Sequence, residues 1–158
     1  MEPLNRQDKP PEPGPEREIV RVSPGNPFSG QILSASLWGC YTHWDGFRTR
    51  ECTEPVENCA GHQSSLPLRW KGYLHVWDSR HGSFVFLEIT PAAAKEILRL
   101  APSNEPLRGL VLGMKRSGSS IKGRLEVSIC RGLNLDRLPK PEDPEPILRK
   151  LWGWRRRG

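Results

Sequence analysis

The stretch "RWKGYLHVWDSRHGSFVFLEIT" (69–90) constrains the fold more than any other. Two runs of alternating apolar residues flank "DSRHGS", a polar turn containing Gly82, and this pattern predicts a β-hairpin. Side chains in a strand alternate between faces. Leu74 and Val76 therefore share a face, as do Val85, Leu87 and Ile89, and this aliphatic set suits a core. Tyr73, His75 and Trp77, with Phe84, Phe86 and Glu88, fall on the opposite face.

The hairpin runs directly into Thr90-Pro91. Threonine suits the position before a helix and proline the first helical position, so a helix is expected over "AAAKEILRL" until Pro102 stops it. A second hairpin is predicted from "LRGLVLGMK" (107–115), the loop "RSGSSIK", and "GRLEVSI" (123–129). Upstream, "SGQILSASLWG" (29–39) reads as a first strand. Five strands with one helix between the third and fourth is the order of the OB-fold, a five-stranded Greek-key barrel. The expected fold is thus mainly β, an OB-fold barrel over residues 28–135, with an insertion between its first two strands.

The flanks read differently. Residues 1–27 carry Pro3, Pro10, Pro11, Pro13, Pro15, Pro24 and Pro27 among charges of both signs, and are expected to form a disordered tail. Residues 136–158 are expected to be a flexible linker and a basic, Trp-containing tail ending "PILRKLWGWRRRG". No apolar run approaches the ~20 residues of a membrane span, and no signal-peptide pattern opens the chain, so a cytoplasmic, reducing location is expected.

The insertion, "CYTHWDGFRTRECTEPVENCAGH" (40–62), holds three of the four cysteines and two of the four histidines. In a reducing compartment such a cluster favours a metal over a disulfide. Cys59-x2-His62 is a pair that one short turn can aim at a single ion. The preferred ligand set is His43, Cys52, Cys59 and His62, with Cys40 as the alternative to Cys52. Either choice supplies two sulfurs and two nitrogens, a closed tetrahedral set for a structural Zn2+. Activating a water would require an open coordination position.

A net charge of +6 points to a polyanionic partner, nucleic acid before membrane. The aromatic face of the first hairpin (Tyr73, His75, Trp77, Phe84, Phe86) could stack bases. Arg69, Lys71 and Arg80 around it, and Lys115, Arg116, Lys122 and Arg124 around the last loop, could hold phosphates. Within the insertion, Trp44, Phe47, Arg48 and Arg50 continue the aromatic–basic pattern. The competing reading packs these aromatics against the tails, a partner subunit or the metal loop.

A metal loop with an isolated His, then a Cys, then a closely paired final two ligands, set in a basic OB-fold, resembles the single-stranded-DNA-binding (helix-destabilising) proteins of large bacteriophages over roughly residues 30–130. Those proteins typically end the ligand set with Cys, where this chain has His62, and carry an acidic C-terminal tail, where this chain ends "RKLWGWRRRG". The resemblance implies non-enzymatic binding of single-stranded nucleic acid, DNA before RNA.

No catalytic set is legible. The carboxylates Glu51, Glu54, Glu57, Asp78 and Glu88 are scattered, "GMKRSGSS" is not a Walker loop, and Cys130 reads as an incidental thiol at a strand end. The alternative function is an accessory subunit that docks on a larger nucleic-acid-processing complex through Ile147, Leu148, Leu151, Trp152, Trp154 and the terminal arginines.

Overall fold

The structure, a computed structural model, describes residues 19–78, 82–118, 123–132 and 138–153. Its centre is the long strand β5 (Leu68–Asp78). Along one edge, β5 pairs antiparallel with two shorter strands in succession. β2 (Phe28–Ile32) lies against its second half, with Ile32 opposite Val76, and β3 (Trp38–Trp44) lies against its first half, with Cys40 opposite Lys71. Along the other edge it pairs with β6 (Ser83–Ile89) in the expected hairpin, with Leu74 opposite Leu87.

The expected first strand is therefore two strands. The break falls at Leu33 and Ser34, whose N–H groups both point at the His75 carbonyl, while the Ser34 hydroxyl accepts from the His75 N–H at 2.9 Å. Beyond the break, Gly39 and Gly72 face each other across β3 and β5. The Trp70 indole lies over both, so that a Cβ on either would sit 2.4 or 2.7 Å from ring carbons.

The helix α2 (Pro91–Leu100) begins as expected, with the Thr90 hydroxyl accepting from the Ala93 N–H. The second hairpin pairs β7 (Leu110–Arg116) with β8 (Leu125–Arg131), and β7 also pairs antiparallel with β2. A short strand, β1 (Ile19–Val20), lies parallel on the outer edge of β6, inside the segment expected to be a tail. The result is a mixed sheet in the order β1-β6-β5-β2-β7-β8, extended by β3, and it is not closed into a barrel.

The aliphatic face predicted for the first hairpin is the core. Leu74, Val76, Val85, Leu87 and Ile89 pack with Phe28, Ile32, Leu110, Leu112 and Met114, and with Ala93, Ala94 and Ile97 of α2. Each large aliphatic side chain removed from water here stabilises the fold by about 1.5–3 kcal/mol.

The opposite face departs from expectation. Over Pro144–Gly153 the chain forms a helix, α3, which docks on the sheet. Ile147, Leu148, Leu151 and Trp152 recur at the spacing of one helix face. Leu148 (0% exposed) and Trp152 (8%) pack on Tyr73 and Phe86, flanked by Trp38 and Cys40. Pro144 and Pro146 fall in the first turn, where a missing N–H breaks no helical bond. Among the described residues, no helix is long and apolar enough to cross a membrane.

Candidate metal centre and its surroundings

The Cys/His segment has more regular structure than a loop. β3 turns back into β4 (Thr49–Glu51), with His43 opposite Arg50 and Trp44 opposite Thr49. Asp45 makes the turn: its Oδ1 accepts from the N–H groups of Phe47 and Arg48, and its Oδ2 accepts from Arg50 Nε. The Arg50 guanidinium and those two N–H groups hold the Asp45 carboxyl well below the usual range. Gly46, at φ +95°, occupies the left-handed region that the tight reversal needs.

Four ligand-type side chains converge beneath this hairpin. His43 comes from β3. Cys52 follows β4, its N–H continuing the ladder to the Tyr41 carbonyl. Cys59 and His62 come from a one-turn helix, α1 (Ala60–Gln63), with Cys59 at its N-cap. One potential ligand atom from each residue lies within 4.8 Å of all the others. The Cys59 Sγ is 3.6 Å from His43 Nε2, the Cys52 Sγ is 3.5 Å from His62 Nδ1, and the two sulfurs are 3.9 Å apart, unbonded. This group could hold a metal ion.

Supporting contacts aim the ligands. His43 Nδ1 lies 3.2 Å from the carbonyl oxygens of both Leu66 and Pro67. Carbonyls only accept, so Nδ1 carries the proton and Nε2 is left as the lone-pair donor on the Cys59 side. The His43 ring lies against Gly61, where a Cβ would come within 2.3 Å of it. The Cys59 thiol is pulled down to about 5, first by the His62 side chain and then by backbone groups of His62 and Thr53. Burial and the neighbouring Cys59 push Cys52 up.

Cys40 is not part of the group. It lies three residues before His43 in the same strand, an odd spacing that sends the two side chains to opposite faces. It packs instead beside Tyr73 and Leu148, and burial, followed by Glu51, raises its thiol to about 12.

The residues expected to meet nucleic acid are divided by the fold. Trp44 (51% exposed) and Phe47 (84%) stand at the tip of the β3–β4 hairpin, with Arg48 and Arg50 leaning on Asp45 and Arg69 exposed nearby on β5. Tyr73, His75 and Phe86 are buried and form no solvent-facing platform. α3 covers Tyr73 and Phe86, and His75 stacks on Phe86 while its Nδ1 accepts from the Glu142 N–H. Trp77 and Phe84 are half-buried and pack edge to face at 4.5 Å.

Of the basic residues, Lys71 pairs with Glu88 and Lys115 with Glu126. Arg116 donates to the carbonyls of Val22 and Gly123, and Arg124 is exposed. Arg80, Lys122, Trp154 and the terminal arginines lie outside the described residues.

Two contributors escaped the sequence reading. Gly61 is one, although a residue without a side chain between two ligands was a legible signal. Arg149 is the other: from α3 its Nε and Nη2 donate to the two Glu51 oxygens at 2.8 and 3.0 Å. That fork ties the C-terminal helix to β4 of the metal module.

Fold and site together define a mainly β protein on a mixed sheet, carrying a compact Cys2His2 group able to hold a metal. No family model, curated protein or solved structure matches the chain.

Proposed function

We propose that this protein is a non-enzymatic binder of single-stranded nucleic acid, DNA before RNA, whose contact hairpin is stiffened by a structural zinc ion. The observation that carries the reading is the exposure of Trp44 and Phe47 on a hairpin with Arg48, Arg50 and Arg69 around it. Large rings held out in water at a rigid tip, with guanidinium groups beside them, suit bases and phosphates together. The stacking surface in this reading is the β3–β4 hairpin, and not the middle of β5 and β6.

Zinc fits the donor set. A tetrahedral ion with bonds of ~2.3 Å to sulfur and ~2.05 Å to nitrogen sets S···S edges near ~3.8 Å and S···N edges near ~3.5 Å. Three of the six separations are 3.9, 3.5 and 3.6 Å, and all six lie within 4.8 Å. His43, Cys52, Cys59 and His62 would hold the ion, which would supply cross-linking of β3, the segment after β4 and α1. Four protein ligands leave no position for an activated water, which favours a structural role.

The strand pairing supports an OB-type layout. β2 lies between β5 and β7, β3 continues along the same edge of β5, and α2 connects the two hairpins. The alternative, docking on a larger complex through the C-terminal segment, loses support over Pro144–Gly153, because its apolar side chains are engaged on this chain's own sheet.

The test is fluorescence anisotropy with single-stranded DNA and RNA oligomers at low salt. Trp44→Ala and Phe47→Ala should each weaken binding by about 1–3 kcal/mol. Absence of binding to every oligomer would overturn the reading.

A further inference from the structure

A cleft of about 400 Å3 lies between the metal module and α3, and Arg48 and Arg50 from the hairpin meet Arg149 from the helix on its walls, with Thr53 and Asn58 beside them. Carboxylates orient these guanidinium groups without using up their donors. Asp45 takes Arg50 Nε, and Glu51 takes the Nε and Nη2 of Arg149, whose Nη2 also meets Glu145. Each guanidinium has five N–H donors in a fixed plane, so each keeps further donors after these contacts. Arg48 is the least satisfied. Its Nε is buried without a hydrogen-bond partner, and Asp45 Oδ2 stands 3.9 Å away. The Nε is closed off from solvent, so an oxyanion in the cleft would meet the Nη groups of Arg48, whose charge, among the described residues, only the distant Asp45 offsets.

From this geometry we infer a phosphate subsite in the cleft, formed by Arg48, Arg50 and Arg149, that takes a phosphodiester of the bound strand. The inference rests on the nucleic-acid reading above and adds a second, base-independent contact to it. Arg48 directly follows Phe47, so a strand stacked on the hairpin tip has its backbone one residue from the cleft. Three nearby carboxylates offset the long-range charge. Recognition therefore depends on the aimed N–H groups more than on a diffuse positive field. It also requires α3: the site is complete only while the C-terminal helix is docked.

The test compares oligo-dT with an abasic phosphodiester oligomer of equal length, each titrated over a range of salt. Wild-type protein should bind both, the abasic oligomer more weakly. Arg48→Ala and Arg149→Ala should each lower affinity for both probes by about tenfold or more. Each should also flatten the log K against log salt slope by about 0.7. Glu51→Gln breaks the same ion pair as Arg149→Ala but keeps the guanidinium, so it should lose less affinity than Arg149→Ala and keep the wild-type salt slope. Trp44→Ala should affect oligo-dT alone.

Equal losses in Glu51→Gln and Arg149→Ala would make Arg149 only a clamp and overturn the subsite. Unchanged affinity and slope in both arginine variants would overturn it while leaving nucleic-acid binding intact. Failure of the wild-type protein to bind either probe would overturn both readings.

Discussion

Gly61→Ala sets two physical rules against each other. Gly61 lies inside α1, where alanine is the better helix former by about 1 kcal/mol, so propensity alone makes the variant more stable. The neighbourhood predicts the reverse. The new Cβ would stand 2.3 Å from His43 Cδ2, 2.4 Å from Cγ and 2.8 Å from Nε2. Comfortable carbon contacts are ~3.5–4.0 Å, so the ring must retreat by about 1 Å. Its Nδ1 is held by the Leu66 and Pro67 carbonyls, and retreat breaks those bonds.

Overpacking of this kind costs about 1–3 kcal/mol, which equals or exceeds the propensity gain. Metal affinity is more sensitive still, because ligand distances tolerate only about 0.2 Å. A drop of about 10–100-fold in zinc affinity is expected, the size seen when supporting contacts to a ligand are removed. Competition against a chromogenic chelator measures the affinity, and thermal unfolding with and without zinc measures the stability. A variant that binds zinc as tightly as wild type and melts higher would refute the packing of His43 on α1.

Three further outcomes follow from the same geometry. Cys52→Ser should abolish stoichiometric zinc binding and Cys40→Ser should leave it intact, as read by metal analysis of the purified proteins. Leu148→Ala should destabilise the fold by about 2–5 kcal/mol in denaturant unfolding, because the side chain is fully buried between α3 and the sheet. Cys40, raised to about 12, should resist alkylation at pH 8 while the exposed Cys130 reacts, as mass spectrometry of time points would reveal. The sign of the Cys40 effect is fixed by its direction: the thiol contributes fully below its ordinary 9.0, and that contribution is lost as pH rises from there toward 12.

What the sequence made legible was local. The alternation of Leu74, Val76, Val85, Leu87 and Ile89 named the core face, and Thr90-Pro91 named the start of α2, because both are effects of neighbours along the chain. The ligand group was legible as a composition cluster. Excluding Cys40 needed one further fact, that β3 continues to Trp44, after which strand parity decides.

The other face was not legible. Burial of Tyr73 and Phe86 depends on a helix that begins more than fifty residues later, behind prolines that resemble a disordered linker. Those prolines are harmless in a first helical turn, and an apolar stripe of four residues is short enough to be read as a tail. Closure of the sheet was equally out of reach, since it depends on which strand borders β6, and β1 takes that edge.

The docking of α3 also sets an order of events during synthesis. The sheet strands leave the ribosome before residues 144–153, and domains fold as their chain emerges. For that interval Trp38, Tyr73 and Phe86 have no helix over them, and the nascent chain displays an aromatic surface that the finished molecule hides. A message cut short before Pro144 would leave that surface uncovered for the life of the product. Such a fragment would keep the metal ligands and most of the core, yet it would be the form for chaperones to capture.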